Sequence, residues 1–275
     1  VGLVVPVAAY GRPVPQDPWR RFQAQTGIPV VIDGAASSER VADNPEPYLG
    51  SVPVTLSFHA TKVLATGEGG AVVTTEPDLL RRSIQAMNFG FMGARRADVA
   101  GFNGKMSEYH AAVGLAELDG WAEKRAAYAR VYDRYRECAR RHGVGDRLVV
   151  APLIASCYAL YEAATAEEAQ AVGAALTGAG VEHRYWYGLG LPREPYFADV
   201  PRDPLPGVES LAHRLIGIPT APDLEPGEIE STGATLEEAA RASTTQARHA
   251  DTGAVEVAGT ELTHPERILY PLRRV

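Results

Sequence analysis

Residues 57–70, which read SFHATKVLATGEGG, carry the strongest structural signal in the sequence: a strand that leads into a loop and then into a second strand. The strand-like run VPVTLSF enters the loop, and the run AVVTT follows it. The loop has one lysine, Lys62, followed by Gly67, Gly69 and Gly70. Glycine tolerates positive φ and lets a ligand approach the backbone closely. A loop lysine is usually a solvated cation, but an amine that has lost its water can attack a carbonyl, so Lys62 is a candidate catalytic residue.

Outward from this loop, the first 90 residues alternate between strand-like and helix-like patterns. Asp17 and Pro18 are suited to start a helix, and Gly27 is suited to end it. A second helix is predicted from about residue 77 to 87, where Leu80 and Ile84 share one side. Strands are predicted from apolar runs at residues 1–9, 28–32, 52–58 and 71–75. This alternation of strands and helices predicts an α/β architecture.

A second, smaller unit is predicted from the later part of the chain. Apolar residues at helical spacing predict a long helix over residues 107–142: Ala111, Leu115, Leu118 and Ala122. Thr165 and Glu168 form a capping box that opens another helix. That helix lies between strand-like runs at 155–163 and 181–187, a pattern typical of an α+β unit. We therefore predict a large domain over residues 1–120, a small domain over 121–230, and a linker or tail over 231–275.

Composition and charge limit the function classes. The 275 residues are 45% hydrophobic and 22% charged, with a net charge of −7. That charge disfavours non-specific binding to nucleic acid or an anionic membrane, and no apolar run approaches the roughly 20 residues that span a bilayer. The two cysteines, Cys138 and Cys157, do not have the spacing of a metal motif or a disulfide scaffold. We expect a cytoplasmic protein that acts on small molecules.

Two further side chains join Lys62 in a candidate site for pyridoxal 5′-phosphate (PLP). This cofactor offers a carbonyl to a lysine, while its ring nitrogen needs a carboxylate and its phosphate needs hydroxyl or backbone donors. Asp33 ends the strand-like run IPVVID and is followed by three small residues, which leave room for a flat ring. Ser57 lies five residues before Lys62 and could donate to a phosphate. The alternatives are that Asp33 caps a turn and that Ser57 is structural.

Three stretches in this order resemble the DegT/DnrJ/EryC1/StrS family of PLP-dependent aminotransferases: IPVVIDGAAS, SFHATKVLATGEGGAVVT and GFNGKMSEYHAAVGLAEL. The resemblance covers about residues 1–230. It implies the type I aminotransferase fold, with a mixed-sheet large domain and a small C-terminal α+β domain. It also implies transfer of an amino group from an amino acid, glutamate by analogy, to a nucleotide-linked keto-sugar. Polysaccharide or secondary-metabolite pathways use such products.

The same resemblance assigns roles to four residues. Lys62 would be the Schiff-base lysine and proton shuttle, Asp33 would pair with the pyridine nitrogen, and Ser57 would bind the phosphate. Asn103, in the GFN element, resembles the asparagine that reaches the phosphate of the partner subunit, which implies a homodimer with shared active sites. Asn103 could instead be an ordinary turn residue.

The sequence departs from the family pattern in two ways. Ala36 occupies a position where many members have Gln or His, with Ser37 next to it as a weak substitute. Members also have a segment that precedes the strand at residues 1–9, with a phosphate-binding turn and a stacking aromatic, so we expect an incomplete large domain. A catalytically inactive remnant that dimerises or binds is therefore the alternative function. A related sugar dehydratase is disfavoured, because those proteins have histidine at the position of Lys62.

Three other features have less specific interpretations. His59 could tune Lys62, but packing beneath the loop is the better interpretation. Tyr185, Trp186 and Tyr187 are expected in the core rather than against a sugar. The stretch VEVAGTELTHPERILYP resembles the opening of the polymerase domain of ligase D-type repair proteins, but residues 231–275 have no basic excess, and no DNA function follows.

Overall fold

The computed structural model describes the backbone of residues 1–185 and 187–251, with side chains up to residue 243. It divides into two compact units. The first comprises Val1–Arg136, Val149–Ala159 and Thr220–Glu225, and the second comprises Glu137–Leu148, Leu160–Pro219 and the chain from Pro226. The boundary thus falls inside a helix rather than at the predicted residue 120, and two short segments beyond it return to the first unit.

The first unit is built on a mixed three-stranded sheet. Strand β1 (Ile32–Asp33) pairs in parallel with β2 (Val54–Ser57), and β2 pairs in antiparallel fashion with β3 (Gly70–Val73). The predicted strand at residues 1–9 is reduced to isolated parallel bridges, which join Val4 to Val30 and Val7 to Asp33. The sheet therefore has the mixed character that the resemblance implied.

The core of the first unit lies against this sheet. Four valine and isoleucine side chains are fully buried there: Val30, Ile32, Val52 and Val54. Helix α1 (Gln16–Thr26) packs Trp19 and Phe22 against them. Gly27 ends this helix in the left-handed conformation, as predicted. Asp17 lies within the first turn and pairs with Arg20 instead of capping the helix.

Four further helices begin in the first unit. They are α2 (Ser38–Asp43), α3 (Pro77–Met87), α4 (Glu108–Asp119) and α5 (Trp121–Arg141). Helix α3 has the predicted bounds. The predicted long helix is two helices, because Gly120 separates α4 from α5. Ser107 caps α4 by accepting a hydrogen bond from the backbone N–H of His110.

The second sheet has the strand order β4 (Leu148–Val149), β5 (Ala159–Glu162) and β6 (Leu215–Ile218). Helix α6 (Ala166–Gly178) begins at the predicted capping box, where Thr165 Oγ1 accepts from the N–H of Glu168 at 3.1 Å. In the predicted strand at 181–187, the described residues form one bridge, from Arg184 to Gly217. Tyr185 is partly exposed and Tyr187 is exposed, so neither is a core residue, and Trp186 lies outside the described residues.

The remaining α-helices of the described residues are α7 (Pro206–Leu211) and α8 (Pro226–Asp251). Helix α8 packs against α6 and buries Ile229, Leu236 and Ala239. The prediction of a linker or tail from residue 231 therefore differs from the structure, because this apolar stripe continues the helix. The stretch that resembles a repair polymerase lies outside the described residues. None of the helices in residues 1–185 and 187–251 combines the length and apolar character needed to cross a bilayer.

Candidate active site

The parallel pairing of β1 and β2 places two predicted site residues at one edge of the sheet. Asp33 is the last residue of β1, and Ser57 is the last residue of β2. The N–H of Ser57 donates to the carbonyl oxygen of Ala35 at 3.3 Å, which ties the end of β2 to the turn after Asp33. The carboxyl ends of parallel strands are a common place for ligand sites in α/β proteins.

The carboxylate of Asp33 has one local partner. Its Oδ1 accepts a hydrogen bond from the N–H of Ala35 at 3.0 Å, so Asp33 does organise the turn that follows it. No hydrogen bond from the described residues reaches Oδ2. The side chain is half-buried. Asp33 can therefore hold its own turn and still offer one carboxylate oxygen to a protonated ring nitrogen.

Lys62 lies in the loop that joins β2 to β3. Backbone hydrogen bonds close the base of this loop, from Phe58 N to Gly69 O and from Ala60 N to Gly67 O. Gly67 and Gly69 have φ values of +86° and +153°, which other residues rarely adopt. The glycines therefore shape the lysine loop itself, as the positive-φ prediction anticipated.

The amine of Lys62 has a partner that the sequence did not reveal. Its Nζ donates to the hydroxyl oxygen of Tyr158 at 3.3 Å and lies 5.9 Å from the centre of that ring. Burial raises the pKa of Tyr158 to about 12, with a smaller contribution from Cys157, so the phenol stays neutral at physiological pH. The two residues are 96 positions apart, and no spacing rule connects them.

Tyr158 is held in place by buried contacts of the segment that contains it. The carboxylate of Glu39 accepts hydrogen bonds from the N–H and the hydroxyl of Ser156, at 2.9 and 2.6 Å. The N–H of Ala155 donates to the carbonyl oxygen of Tyr10, whose ring packs edge-on against Tyr158 at 5.5 Å. These contacts fix the tyrosine that faces the lysine.

Tyr10 has an unusual backbone conformation beside this segment. Its φ is +53°, in the left-handed region, and Gly11 follows with φ +78°. A Cβ on Gly11 would lie 2.4 Å from the carbonyl oxygen of Ala36 and 2.5 Å from the Cβ of Ala155. Only glycine therefore allows the segments around Ala36 and Ala155 to meet here.

Ser57 and His59 organise the start of the lysine loop. Ser57 Oγ accepts a hydrogen bond from the N–H of His59 at 3.2 Å, and its own hydroxyl proton remains free to point elsewhere. His59 is exposed, and its Nδ1 lies 2.9 Å from the hydroxyl of Thr61. The interpretation that His59 packs beneath the loop is therefore wrong, and no hydrogen bond recorded for the described residues connects it to the Lys62 amine.

Ala36 and Ser37 occupy the turn where the family pattern changes. Both are buried, and Ser37 Oγ is a buried polar atom with no hydrogen-bond partner among the described residues. An unsatisfied buried hydroxyl costs free energy and is expected to find a partner. With the carboxylate of Asp33, the hydroxyl of Ser57 and the amine of Lys62 in the following loop, this unit carries the chemical groups that PLP needs.

Asn103 lies in the segment that precedes α4. It is exposed and forms an antiparallel bridge with Asn88. No hydrogen bond recorded within the described chain joins it to Asp33, Ser57 or Lys62.

The mixed sheet, with a lysine loop after one strand and a carboxylate at the end of the neighbouring strand, is the arrangement of type I aminotransferases. The crystal structure of DesI determined with its TDP-sugar product has a TM-score of 0.74 and 30% sequence identity, over 91% of this chain and 66% of that one. The predicted fold class is thereby confirmed. A profile described as the DegT/DnrJ/EryC1/StrS aminotransferase family matches residues 2–237, and the chain belongs to this family.

Curated relatives agree with this assignment. Protein Rv3402c of Mycobacterium tuberculosis is 31% identical over 228 residues, which cover 80% of this chain and 55% of that protein. The dTDP-3-amino-3,4,6-trideoxy-alpha-D-glucose transaminase of Streptomyces venezuelae is 30% identical over 228 residues, which cover 81% of this chain and 59% of that enzyme. The chain therefore spans somewhat more than half the length of these relatives.

Proposed function

We propose that this chain carries the lysine-bearing part of a PLP-dependent aminotransferase that acts on a nucleotide-linked keto-sugar. The amino donor would be an amino acid, glutamate by family analogy. Membership of the family supports the reaction class, and the Streptomyces venezuelae relative, a dTDP-amino-sugar transaminase by name, supports the substrate class. We place the protein in the cytoplasm, in a pathway that makes a surface polysaccharide or a glycosylated secondary metabolite.

Each residue at the sheet edge has a distinct task in this proposal. Bound PLP supplies an aldehyde carbon that amines attack and a ring that accepts electrons. Lys62 holds the cofactor and moves a proton at the α-carbon of the donor. Asp33 keeps the ring nitrogen protonated through its free oxygen, and Ser57 donates its hydroxyl to the phosphate. Tyr158, whose hydroxyl oxygen accepts a hydrogen bond from the amine of Lys62, orients that amine.

The proposal includes a second copy of the chain. In this reading Asn103 of one subunit reaches the phosphate in the other subunit, so the active sites lie at a homodimer interface. Its exposed position is compatible with that role. The other proposed partners are the small-molecule substrates. The proposal includes no nucleic-acid or membrane partner.

The observation that carries the proposal is the pairing of the Lys62 amine with Tyr158, in the loop that follows the edge shared by Asp33 and Ser57. The test is to incubate the purified chain with PLP, reduce it with borohydride, and map the label by peptide mass spectrometry. We expect the label on Lys62 and its loss in Lys62→Ala. Lys105→Ala is the matched control, because Lys105 is an exposed lysine of the same unit.

The alternative function, an inactive remnant that dimerises or binds, gives a different result in the same experiment. No label would form on Lys62, whereas the chain would still associate with itself. A label spread equally over Lys62, Lys105 and Lys124 would also count against a built cofactor site. Amino transfer from glutamate to keto-sugar nucleotides then tests the substrate class separately.

A further inference from the structure

A cluster of three potential metal ligands lies in the second unit, where the end of α5 meets the start of α8. Cys138 and His142 are four residues apart on α5 and therefore share one face of the helix. Glu230 approaches them from α8. The thiol sulfur, an imidazole nitrogen and a carboxylate oxygen all lie within 4.8 Å of one another. Around a tetrahedral zinc ion such atoms are roughly 3.3–3.8 Å apart, so small side-chain shifts would bring them into coordination range.

The imidazole is oriented as a metal-binding histidine usually is. Nδ1 of His142 lies 2.5 Å from Oε2 of Glu237, and Nε2 lies 2.9 Å from Oε1 of Glu230. If Nδ1 donates its proton to Glu237, then Nε2 and Oε1 face each other with lone pairs. A cation, either a proton or a metal ion, must then lie between them. A carboxylate on the far nitrogen is the standard second contact of zinc-bound histidine.

The thiol is the feature that favours a metal ion over a proton. Cys138 is buried, and its Sγ lies within 4.8 Å of the imidazole and carboxylate ligand atoms and 3.5 Å from the carbonyl oxygen of Ile229. A proton shared by the imidazole and the carboxylate needs no third ligand. Thiolate and imidazole are ligands of zinc and other borderline or soft metals, whereas magnesium and calcium prefer oxygen alone. On binding, zinc displaces the thiol proton, which leaves to solvent.

The surroundings provide space and charge balance. A Cβ on Gly233 of α8 would lie 2.2 Å from Sγ of Cys138 and 3.1 Å from the ring of His142, so the absence of a side chain there makes room for both groups. Arg141 donates to both oxygens of Glu230, at 3.0 and 2.6 Å. Arg241 pairs with Glu237 at 2.5 Å. These cations offset the carboxylates without occupying the sulfur or the imidazole.

We propose that Cys138, His142 and Glu230 bind one zinc ion and thereby join α5 to α8. Water completes the tetrahedral coordination, because the side chains of His142 and Glu230 are partly exposed. Glu237 orients His142 from behind. The proposed zinc site belongs to the second unit, and the proposal does not depend on the proposed aminotransferase activity.

The test uses the full chain with Cys157→Ser as the background, in which Cys138 is the remaining thiol. The chain is stripped with a chelator and titrated with cobalt(II), whose charge-transfer absorption reports a thiolate ligand, and then with zinc by calorimetry. We expect one ion per chain, a cobalt–thiolate band and displacement of cobalt by zinc. Cys138→Ser and His142→Gln should weaken zinc binding at least a hundredfold, and Glu237→Gln should weaken it roughly 10- to 100-fold.

Two controls make the result decisive. His213→Gln removes an exposed histidine of the same unit and should leave zinc binding unchanged. If a ligand variant fails to fold, the cobalt–thiolate band of the Cys157→Ser background still shows whether the thiol binds the metal. In that background the band can arise only from Cys138. The proposal is overturned if that background shows no such band, or if zinc binds equally well to Cys138→Ser and His142→Gln.

Discussion

At the scale of single residues, the contact between Lys62 and Tyr158 makes a specific prediction. The Tyr158 hydroxyl, 3.3 Å from Nζ, holds the amine in one position, and phenylalanine would remove that hydrogen bond while keeping the ring. One such bond contributes about 0.5–1.5 kcal/mol net. We therefore expect Tyr158→Phe to raise the PLP concentration needed for half-maximal labelling of Lys62 roughly 2- to 10-fold. This half-maximal PLP concentration is measured by borohydride trapping over a range of PLP concentrations.

The control for this prediction is Tyr196→Phe, because Tyr196 is exposed and lies in the second unit. It should leave the labelling curve of Lys62 unchanged. A Tyr158→Phe curve that overlays the wild-type curve would show that the hydroxyl does not position the amine. A general loss of folding is detected by comparing the circular dichroism of the two variants.

A second residue-scale prediction concerns Cys157, which precedes Tyr158. Burial raises the pKa of its thiol to about 11, and nearby Lys62 opposes that shift only in part. Only about one thiol in a thousand is then ionised at pH 8, and the thiolate is the reactive form. In a Cys138→Ser background, the rate of alkylation by iodoacetamide should rise about tenfold per pH unit between about pH 7 and 10. A plateau near pH 8.5 would contradict the prediction.

Sequence and structure agree at the residue scale where the signal is local. Asp33 and Ser57 were predicted because each ends a strand-like run, and Lys62 because it lies in the glycine-rich loop that follows one; the structure places Asp33 and Ser57 at one edge. Tyr158 could not be found in this way, because a contact over 96 positions depends on tertiary packing. The exposure of His59 likewise depends on how its loop folds back, which the sequence does not encode locally.

At the scale of elements, the buried carboxylate of Glu39 connects α2 to the segment that contains Tyr158. It is 2% exposed and accepts two hydrogen bonds from Ser156 as well as one from Arg40 at 2.9 Å. Removing it leaves buried donors unpaired. We expect Glu39→Ala to lower the free energy of unfolding by about 2–4 kcal/mol, measured by urea denaturation.

Two further variants provide comparisons for the expected loss of stability in Glu39→Ala. Glu39→Gln keeps one acceptor oxygen for Ser156 and should cost less than alanine. Glu46→Ala removes an exposed glutamate of the same unit and should change the stability by at most about 0.5 kcal/mol. Equal unfolding midpoints for Glu39→Ala and Glu46→Ala would mean that the Glu39–Ser156 contact does not stabilise the fold.

The elements predicted correctly are those with strong end signals. Helix α3 starts at Pro77. Helix α6 starts after Thr165, whose side chain accepts a hydrogen bond that fixes this boundary. The long helix was predicted as one element because helical periodicity continues across Gly120, although the backbone breaks there. A linker or tail was predicted from residue 231 because the apolar pattern of the sequence weakens there. The structure instead continues helix α8 through this region, and α8 buries Ile229 and Leu236.

At the scale of the whole molecule, helix α4 presents apolar side chains at the surface. The periodic apolar residues Leu115 and Leu118 are 65% and 53% exposed, and no residue of α4 is buried. Exposed apolar side chains also precede the helix, at Phe102 and Met106. Exposed apolar side chains, when they group on a surface, mark an interaction site. We assign it to the second copy of the chain, because Asn103, the residue proposed to reach the partner, lies in the same stretch.

This assignment makes a prediction about association. A pair of glutamates at Leu115 and Leu118 would place charges in an apolar interface without partners, at a cost of several kcal/mol. We expect the wild-type chain to sediment at twice its 29.4 kDa, and Leu115→Glu/Leu118→Glu to weaken dimerisation at least a hundredfold. Leu191→Glu is the matched control, since Leu191 is 66% exposed in the second unit. A wild-type monomer, or a dimer equally stable in both variants, would exclude α4 as the contact between subunits.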